Sequence, residues 1–244
     1  MNKRKIFCFV GSNNQHSVGA YVAEGMKEAL RKRNFDVSFY QGNSCDIRLC
    51  EGCSLCFDKG KCPLDEVDIM EEVKRNMIEA DVIFWISPVY ANNVSGMMKN
   101  YIDRISVWLH TINLAGKIGG VITITDNSGE EFVSFYNQRL LSYMGCNVLI
   151  EEAIVKTRME KTIEDMIESM VLRIEKALQQ EEQYQSNEIQ EAHFQSMQKR
   201  LKKIVDDPEI DWKDMYEPRY WYEKRMLTCK NFQEVLDMKR RSKN

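Results

Sequence analysis

The sequence lacks three features that would each place it in a broad class of proteins. No apolar run approaches the ~18 residues of a membrane-spanning helix. The basic start is followed by only five apolar residues before Gly11, whereas a secretory signal needs roughly 7–15. The net charge of −3 argues against a general nucleic-acid binder. We therefore expect a cytoplasmic protein without a membrane or nucleic-acid partner.

Histidine is also scarce, with residues only at positions 16, 110 and 193. They are scattered, and no Ser–His–Asp arrangement can be read from the sequence. We interpret His110 and His193 as structural and expect no catalytic side chain. Any redox chemistry would then be carried by a bound cofactor.

What the chain does contain is a regular alternation of short apolar segments and amphipathic segments. Strands are predicted over residues 5–11, 35–40, 81–87, 118–125 and 146–155. Helices are predicted over residues 17–33, 94–108, 130–144 and 163–178. A further helix should begin at Asp65 as its N-cap and bury Val67, Met70, Val73, Met77 and Ile78. Pro88 should end the third strand, because proline has no N–H to donate.

This alternation predicts an α/β protein with a doubly wound, five-stranded parallel sheet. The loops 11–17, 41–64, 88–94 and 125–130 should meet at the carboxyl edge of the sheet, where such folds bind ligands. From Glu181 the sequence becomes polar and Gln-rich, and an aromatic-rich stretch follows. We therefore predict a sheet domain over 1–180 and a helical C-terminal extension over 181–244. The extension is interpreted either as a cap folded back on the domain, or as a dimer arm or pocket wall.

The first candidate binding segment is "GSNNQHS", residues 11–17, which we call the phosphate loop. Its glycine allows a tight turn, its side chains are short and polar, and the following helix presents free N–H groups and a positive dipole end. The loop has no lysine or arginine, so it suits a monophosphate ester better than a nucleoside triphosphate with Mg²⁺. Plain helix capping by Ser17 is the alternative interpretation.

The second candidate segment is "SPVYANNVSGMMKNYIDR", residues 87–104. Pro88 stiffens the turn, and Tyr90 can lie flat against a planar ligand. The groups of 91–93 offer hydrogen-bond donors and acceptors to the edge of a heterocycle, and Gly96 allows close approach. An ordinary core tyrosine with loop asparagines is the alternative.

The third candidate segment holds Cys50, Cys53, Cys56 and Cys62, and we call residues 50–62 the cysteine loop. Its C-x2-C-x2-C-x5-C spacing is similar to the compact run of bacterial ferredoxins. Structural zinc more often uses two separate knuckles, and disulfides are disfavoured in the cytoplasm. A [4Fe–4S] cluster and empty thiols stay open as the two main interpretations, with zinc behind them.

These segments, in this order and with "RYWYEKRML" near the end, resemble the flavodoxin-fold NADPH-dependent FMN reductase family. Within that family they look most like the iron–sulfur flavoproteins. The resemblance covers about residues 4–155 and the short tail segment. It departs from the family pattern at "NNQ", where a proline and a basic residue are often found, and at "TDNSGE", where a Gly-rich loop is usual.

The resemblance implies a flavodoxin-like fold, bound FMN and site residues. It assigns FMN binding to Ser12, Asn14, Gln15, His16, Ser17, Pro88, Val89, Tyr90, Ala91, Asn92, Asn93, Asp126, Asn127, Ser128 and Gly129. It assigns a [4Fe–4S] cluster to the cysteine loop. Lys99, Asp103 and Arg104 would organise their helix.

The function expected from the resemblance is an FMN-dependent oxidoreductase. It would transfer electrons from NAD(P)H to a small acceptor, such as a quinone or a flavin, and would form a homodimer or a larger oligomer. Two alternatives remain open. One is an iron–sulfur flavoprotein that carries electrons through its cluster without nicotinamide, and the other is a non-catalytic flavodoxin-fold protein that binds a partner.

Overall fold

The computed structural model describes residues 3–243 and contains a parallel sheet between two layers of helices. Its strands are β1 (Lys5–Val10), β2 (Asp36–Gln41), β3 (Val82–Tyr90), β4 (Asn93–Val94), β5 (Ile118–Thr125) and β6 (Asn147–Val155). Five strands are parallel in the order β2-β1-β3-β5-β6, and the two-residue β4 pairs antiparallel with β3. The predicted doubly wound five-stranded sheet is therefore confirmed.

Helices connect the strands and continue after the last one. They are α1 (Val18–Lys32), α2 (Leu55–Lys59), α3 (Met70–Glu79), α4 (Gly96–Arg104), α5 (Trp108–Thr111), α6 (Glu130–Tyr143), α7 (Ile163–Gln179), α8 (Glu188–Val205), α9 (Tyr216–Glu223) and α10 (Phe232–Lys243). None of the helices within residues 3–243 has the length and apolar character needed to cross a bilayer.

Two apolar cores lie on the two faces of the sheet. On one face α1 and α7 pack against strand residues such as Ile6, Phe84 and Ile122. On the other face α3, α4 and α6 pack against Phe7, Trp85 and their neighbours. The strands are almost continuously apolar because both of their faces are buried.

The expectation that Pro88 ends the third strand is wrong, because β3 continues to Tyr90. Gly11 donates its N–H to the carbonyl of Ile86, so the backbone groups of Ile86 face β1. Pro88, two residues further on, also directs its backbone groups toward β1. However, β1 pairs with β3 only as far as Ile86. The missing N–H of Pro88 therefore costs no ladder hydrogen bond, and the strand still pairs with β5 there.

The expected helix at Asp65 is also placed wrongly. The α-helix begins five residues later, at Met70, which leaves Val67 off its buried face and 52% exposed. Asp65 does not cap a helix, since its carboxylate binds Arg104 and Lys74 instead. Ile78 is 45% exposed, because it lies about 100° around the helix from the buried Met77.

The helix predicted over 94–108 is divided into α4 and α5 by a turn at residues 105–107. Ile105, Val107 and Trp108 are all buried. A single helix would point Val107 away from the face shared by Ile105 and Trp108, because residues two apart are rotated by about 200°. The turn allows all three to reach the core.

The residues after α7 form a third apolar cluster against the end of the sheet domain. Phe194, Trp221 and Phe232 come together there with Ile112 and Ala115. Helix α8 packs on α6, and α9 packs on α5 and α2. The extension thus lies against the domain, while the division at residue 180 stays a prediction.

His193 joins α8 to the sheet domain. Its ring stacks on Tyr143 with centroids 4.2 Å apart, and its Nε2 lies 2.6 Å from the carbonyl oxygen of Leu109. Burial lowers the pKa of His193, and nearby His110 lowers it further, against the opposing effect of the Leu109 carbonyl. The folded chain therefore favours the neutral ring.

This shift predicts that stability falls as the pH drops. Above the ordinary histidine pKa of about 6.5 the ring is neutral in both states. Below it the unfolded chain takes up a proton that the folded chain resists, which costs up to about 1.4 kcal/mol per pH unit. In His193→Gln the amide can still donate to Leu109, so this part of the slope should vanish. Urea unfolding at pH 7.5 and 5.5 measures it, and equal losses in both proteins would contradict the assignment.

Candidate functional site

Three of the four predicted loops meet at the carboxyl edge of the sheet around one cavity of ≈ 300 Å³. The cavity lies beside the switch in strand order between β1 and β3, where doubly wound folds bind their ligands. It is lined by Ser12, Asn14, His16, Ser17, Val18, Gly19, Pro88, Val89, Tyr90, Ile124, Thr125, Asp126 and Lys156. The phosphate loop and the turn after β3 are therefore adjacent.

The structure brings eight of the proposed FMN-binding residues into this lining: Ser12, Asn14, His16, Ser17, Pro88, Val89, Tyr90 and Asp126. The other seven lie outside it: Gln15, Ala91, Asn92, Asn93, Asn127, Ser128 and Gly129. The assignment of FMN binding to these residues stays a prediction. The fourth loop, which contains the cysteine loop, contributes no lining residue.

Hydrogen bonds within the phosphate loop leave the hydroxyl hydrogens of two serines available to a ligand. The Oγ of Ser12 accepts from the N–H of Asn14 at 3.2 Å, and the Oγ of Ser17 caps α1 by accepting from the N–H of Ala20 at 3.1 Å. Because each hydroxyl is already an acceptor, its hydrogen remains available to donate. The first N–H groups of α1 have no partner within the helix. This donor set fits a monophosphate ester.

Ser95 fixes the distance between the phosphate loop and α4. Its hydroxyl donates to the carbonyl of Gly11 and accepts from the N–H of Met98 at 3.1 Å as the N-cap of α4. Gly11 has to be glycine, since a Cβ there would lie 2.6 Å from the Cβ of Met98. The predicted helix 94–108 places Ser95 inside the helix, so both its role as N-cap and its link to Gly11 were missed.

The turn after β3 is a tight hairpin rather than a long ligand-binding loop. Ala91 and Asn92 both have positive φ, at 50° and 57°, which is the signature of a two-residue type I′ turn between β3 and β4. This turn carries residues 91–93 away from the cavity and leaves Tyr90 56% exposed at its mouth. At the end of β3, the cavity is therefore lined by Pro88, Val89 and Tyr90.

The 126–129 loop packs against this hairpin. A Cβ at Gly129 would lie 2.6 Å from Oδ1 of Asn92, so the two segments are in close contact. The carbonyl of Asn127 accepts from Arg158 at 3.1 Å, which turns that residue toward the segment after β6. Only Asp126 of this loop reaches the cavity.

Lys156 supplies the positive charge that the phosphate loop lacks. It follows β6 directly, so it lies at the same sheet edge, and its Nζ is 2.5 Å from Oδ1 of Asp126. Both side chains are largely exposed, at 48% and 80%, and an anion in the cavity could compete for the ammonium group. No motif marks this lysine, although its position after the last strand is a signal that could have found it.

The cysteine loop is tied to α4 at both of its ends. Asn100 accepts from the N–H of Cys50 at 3.0 Å and donates to the carbonyl of Ile47 at 3.2 Å. Arg104 donates to the carbonyl of Arg48 at 2.9 Å and to Asp65 at 2.8 Å, and it also pairs with Asp68. The chain before and after the loop is thus attached to one helix.

The guanidinium of Arg104 has no exposed surface, and neither has the carboxylate of Asp68. Burial alone would lower the pKa of Arg104, but its hydrogen bonds with Asp68 and Asp65 outweigh burial and raise it. Burial would raise the pKa of Asp68, but hydrogen bonds from Arg104 and from the N–H groups of Met70 and Arg48 lower it. Both groups are therefore charged in the folded protein.

The four thiols of the cysteine loop differ in exposure. Cys50 and Cys53 are exposed, whereas Cys56 and Cys62 are half-buried. Burial raises the pKa of Cys56, and the neighbouring Cys62 and Cys50 add to this effect. Four thiols are the donor set that an iron–sulfur cluster needs. In the described part of the chain, however, no three His, Cys, Asp or Glu side chains are arranged to hold a metal ion.

Comparison with known proteins shows the family to which this chain belongs. A family model described as NADPH-dependent FMN reductase matches residues 4–159. An iron–sulfur flavoprotein of Archaeoglobus fulgidus is 34% identical over 137 residues, which are 56% of this chain and 61% of that protein. One of Methanocaldococcus jannaschii is 31% identical over 129 residues, 52% of this chain and 66% of that protein. The chain thus spans 61% and 66% of the length of these two relatives.

Solved structures show the same fold at low sequence identity. A flavodoxin, WrbA-like protein from Agrobacterium tumefaciens has a TM-score of 0.52 and 15% identity, and covers 73% of this chain and 99% of that one. An NADH:FMN oxidoreductase in its apo form has a TM-score of 0.50 and 18% identity, and covers 71% and 90%. These likenesses show that the fold is flavodoxin-like.

The loss of a positive charge from α4 should lower the free energy of unfolding much more at Arg104 than at Lys99. Arg104→Met leaves the buried carboxylate of Asp68 without its cation, while Asp65 keeps Lys74, and should lower the free energy of unfolding by about 3–5 kcal/mol. Lys99→Met breaks only the exposed pair with Asp103 and should cost at most about 0.5 kcal/mol. Urea unfolding of both variants measures the difference. Similar losses would show that the Arg104 cluster does not hold the loop ends.

Proposed function

Because this chain belongs to the NADPH-dependent FMN reductase family, we propose that it is an FMN-dependent oxidoreductase. It accepts electrons from NAD(P)H and passes them to a small acceptor such as a quinone or a flavin. The observation that carries the proposal is the cavity, where the donors of the phosphate loop lie beside the aromatic side chain of Tyr90 at the end of β3.

The residues of the cavity have separate roles in this proposal. The hydroxyls of Ser12 and Ser17 and the first N–H groups of α1 bind the phosphate, and Lys156 adds a positive charge. Pro88 and Tyr90 orient the ring, and the exposed side of Tyr90 leaves room for donor and acceptor. When bound, FMN supplies hydride and electron transfer, so no catalytic side chain is needed. We also propose a homodimer or larger oligomer, which light scattering can test.

A second candidate function is favoured by α4. Its N-cap, Ser95, holds the phosphate loop, while Asn100 and Arg104 hold the cysteine loop. With nine residues the helix is only about 14 Å long. In this second candidate the cysteine loop carries a [4Fe–4S] cluster, and the protein passes electrons between cluster and flavin without nicotinamide. The relatives named iron–sulfur flavoproteins support it.

Anaerobic purification followed by visible absorption and iron analysis separates the two candidates. A flavin spectrum that bleaches rapidly with NADPH or NADH supports the reductase. A broad brown absorbance, stoichiometric iron and no reaction with either nucleotide support the cluster protein. If the protein carries no flavin and takes none up, both are wrong, and the non-catalytic alternative gains.

If the phosphate of FMN binds at the start of α1, a negative charge at position 17 should weaken the binding of FMN but not that of riboflavin. Ser17→Asp keeps a good N-cap for α1 but replaces a hydroxyl donor with an anion. FMN binding should weaken by at least about 1.5–3 kcal/mol, roughly 10–150-fold, since a hydrogen bond to a charged group is lost. Riboflavin, which has no phosphate, should bind unchanged. Flavin fluorescence quenching measures both affinities.

Ser17→Asn is the matched control, because asparagine also caps α1 and can still donate a hydrogen bond to phosphate. It should keep most of the FMN affinity. If Ser17→Asp binds FMN as tightly as the unchanged chain does, the phosphate is not bound at the start of α1.

A further inference from the structure

The part of the cysteine loop from Leu55 to Gly60, which contains Cys56 and ends two residues before Cys62, lies against the C-terminal extension. Helix α2, which carries Cys56, contacts α9. The ring of Tyr216 packs directly on Gly60, where a Cβ would lie 2.4 Å from a ring carbon. Gly60 ends α2 with a φ of +77°, so neither a side chain nor a different backbone path fits between this loop and α9.

A second contact holds α2 through His110. The ring of Phe57 meets the ring of His110 edge-on, with centroids 5.0 Å apart. The extension fixes His110 on its other sides: Glu217 accepts from its Nδ1 at 2.5 Å, and Trp221 donates to its carbonyl at 2.8 Å. Arg200 of α8 pairs with the second oxygen of Glu217. The ring on which Phe57 rests therefore has a defined position.

The carboxylate of Glu217 keeps its charge in this network. Burial would raise the pKa of Glu217, but its hydrogen bond with His110 and the charge of Arg200 lower it. The carboxylate thus remains ionised between its two partners. A buried, fully paired carboxylate is costly to move, so it keeps α8, α9 and His110 together.

The rest of the cysteine loop is held differently. Cys50 is attached to α4 through Asn100. Residues 51–54 are all exposed, and nothing lies within 4 Å of where a Cβ of Gly52 would be. The loop is therefore attached to α4 at both ends and to the extension at Gly60 and, through His110, at Phe57, while the side chains of residues 51–54 between these attachments are exposed.

We propose that the extension is a clamp that positions Cys56 and Cys62 as ligands of the cluster. Tyr216 and His110 are its positioning residues, since they contact Gly60 and Phe57 of the loop, and Glu217 and Arg200 hold His110 in place. This inference rests on the second candidate function, in which the cysteine loop binds a [4Fe–4S] cluster. It assigns a role to the extension, for which the sequence left two interpretations open.

The clamp can be tested without any cluster, by the alkylation rates of the four thiols. The full chain is stripped of metal, reduced, treated with iodoacetamide at one pH and analysed by peptide mass spectrometry. Cys50 and Cys53 should react fast, and Cys56 and Cys62 slowly. Tyr216→Ala should speed up Cys56 and Cys62 about tenfold or more, because a packed ring that opposes local opening is lost.

Two variants on the same helix serve as controls. Tyr216→Phe keeps the ring and should restore the slow rates. Tyr222→Ala removes a tyrosine that is 61% exposed and should leave all four rates unchanged. Phe57→Ala removes the contact with His110 from the loop side and should also speed up Cys56 and Cys62. It therefore serves as the test if Tyr216→Ala folds poorly. Unchanged rates of Cys56 and Cys62 in the folded variants would overturn the clamp.

A second measurement connects the clamp to the cluster. After anaerobic reconstitution with iron and sulfide, Tyr216→Ala should hold less iron per chain than Tyr216→Phe, or show an altered electron paramagnetic resonance signal after reduction. Its FMN content should stay the same. If the unchanged chain holds no cluster, the second candidate function fails, and the role of the clamp in cluster binding fails with it, whatever the alkylation rates. If iron and signal are normal in Tyr216→Ala, the positioning role is wrong while the cluster stands.

Discussion

The buried ion pairs of Arg104 are the constraint on which both candidate centres depend. Its guanidinium is out of contact with solvent and faces Asp65 and Asp68. Removing any one partner would leave a buried charge, which is far more costly than the net stability of the pair itself. The sheet domain therefore has a fixed geometry at α4. The segments before and after the cysteine loop are attached to this helix by hydrogen bonds.

The same helix connects the cysteine loop to the cavity. At its start Ser95 binds the carbonyl of Gly11, and the close approach there leaves no space for a side chain. A displacement of α4 would therefore change both the phosphate loop and the cysteine loop. The segment 87–104 therefore serves both centres. Pro88 and Tyr90 lie at the cavity, and Asn100 and Arg104 hold the cysteine loop. The residues that organise the helix are as important for the site as those that line it.

Burial patterns could be read from the sequence, and specific side-chain partners could not. The strand at 118–125 was predicted with its observed bounds, because its uninterrupted apolar run fits a strand buried on both faces. Asp65 was misassigned because a helix cap and an ion-pair partner look alike in one sequence. Pro88 was wrongly expected to end β3. Its missing N–H costs no hydrogen bond because β1 has already ended, and the sequence does not show where that neighbouring strand ends. Lys156 and Ser95 were missed because their roles depend on contacts distant in the chain.

The phosphate loop and the cysteine loop differ in how much order is already present. The hydroxyls of Ser12 and Ser17 are held by backbone N–H groups, so a phosphate would find its donors in place and little ordering would be lost on binding. In the cysteine loop the side chains of residues 51–54 are exposed, although the carbonyl of Ser54 accepts from the N–H groups of Phe57 and Asp58 at the start of α2. A cluster would therefore have to fix the exposed side chains of Cys50 and Cys53, whereas Cys56 is already half-buried on α2. The order that is missing before binding thus lies in the thiols of the cysteine loop and not in the donors of the phosphate loop.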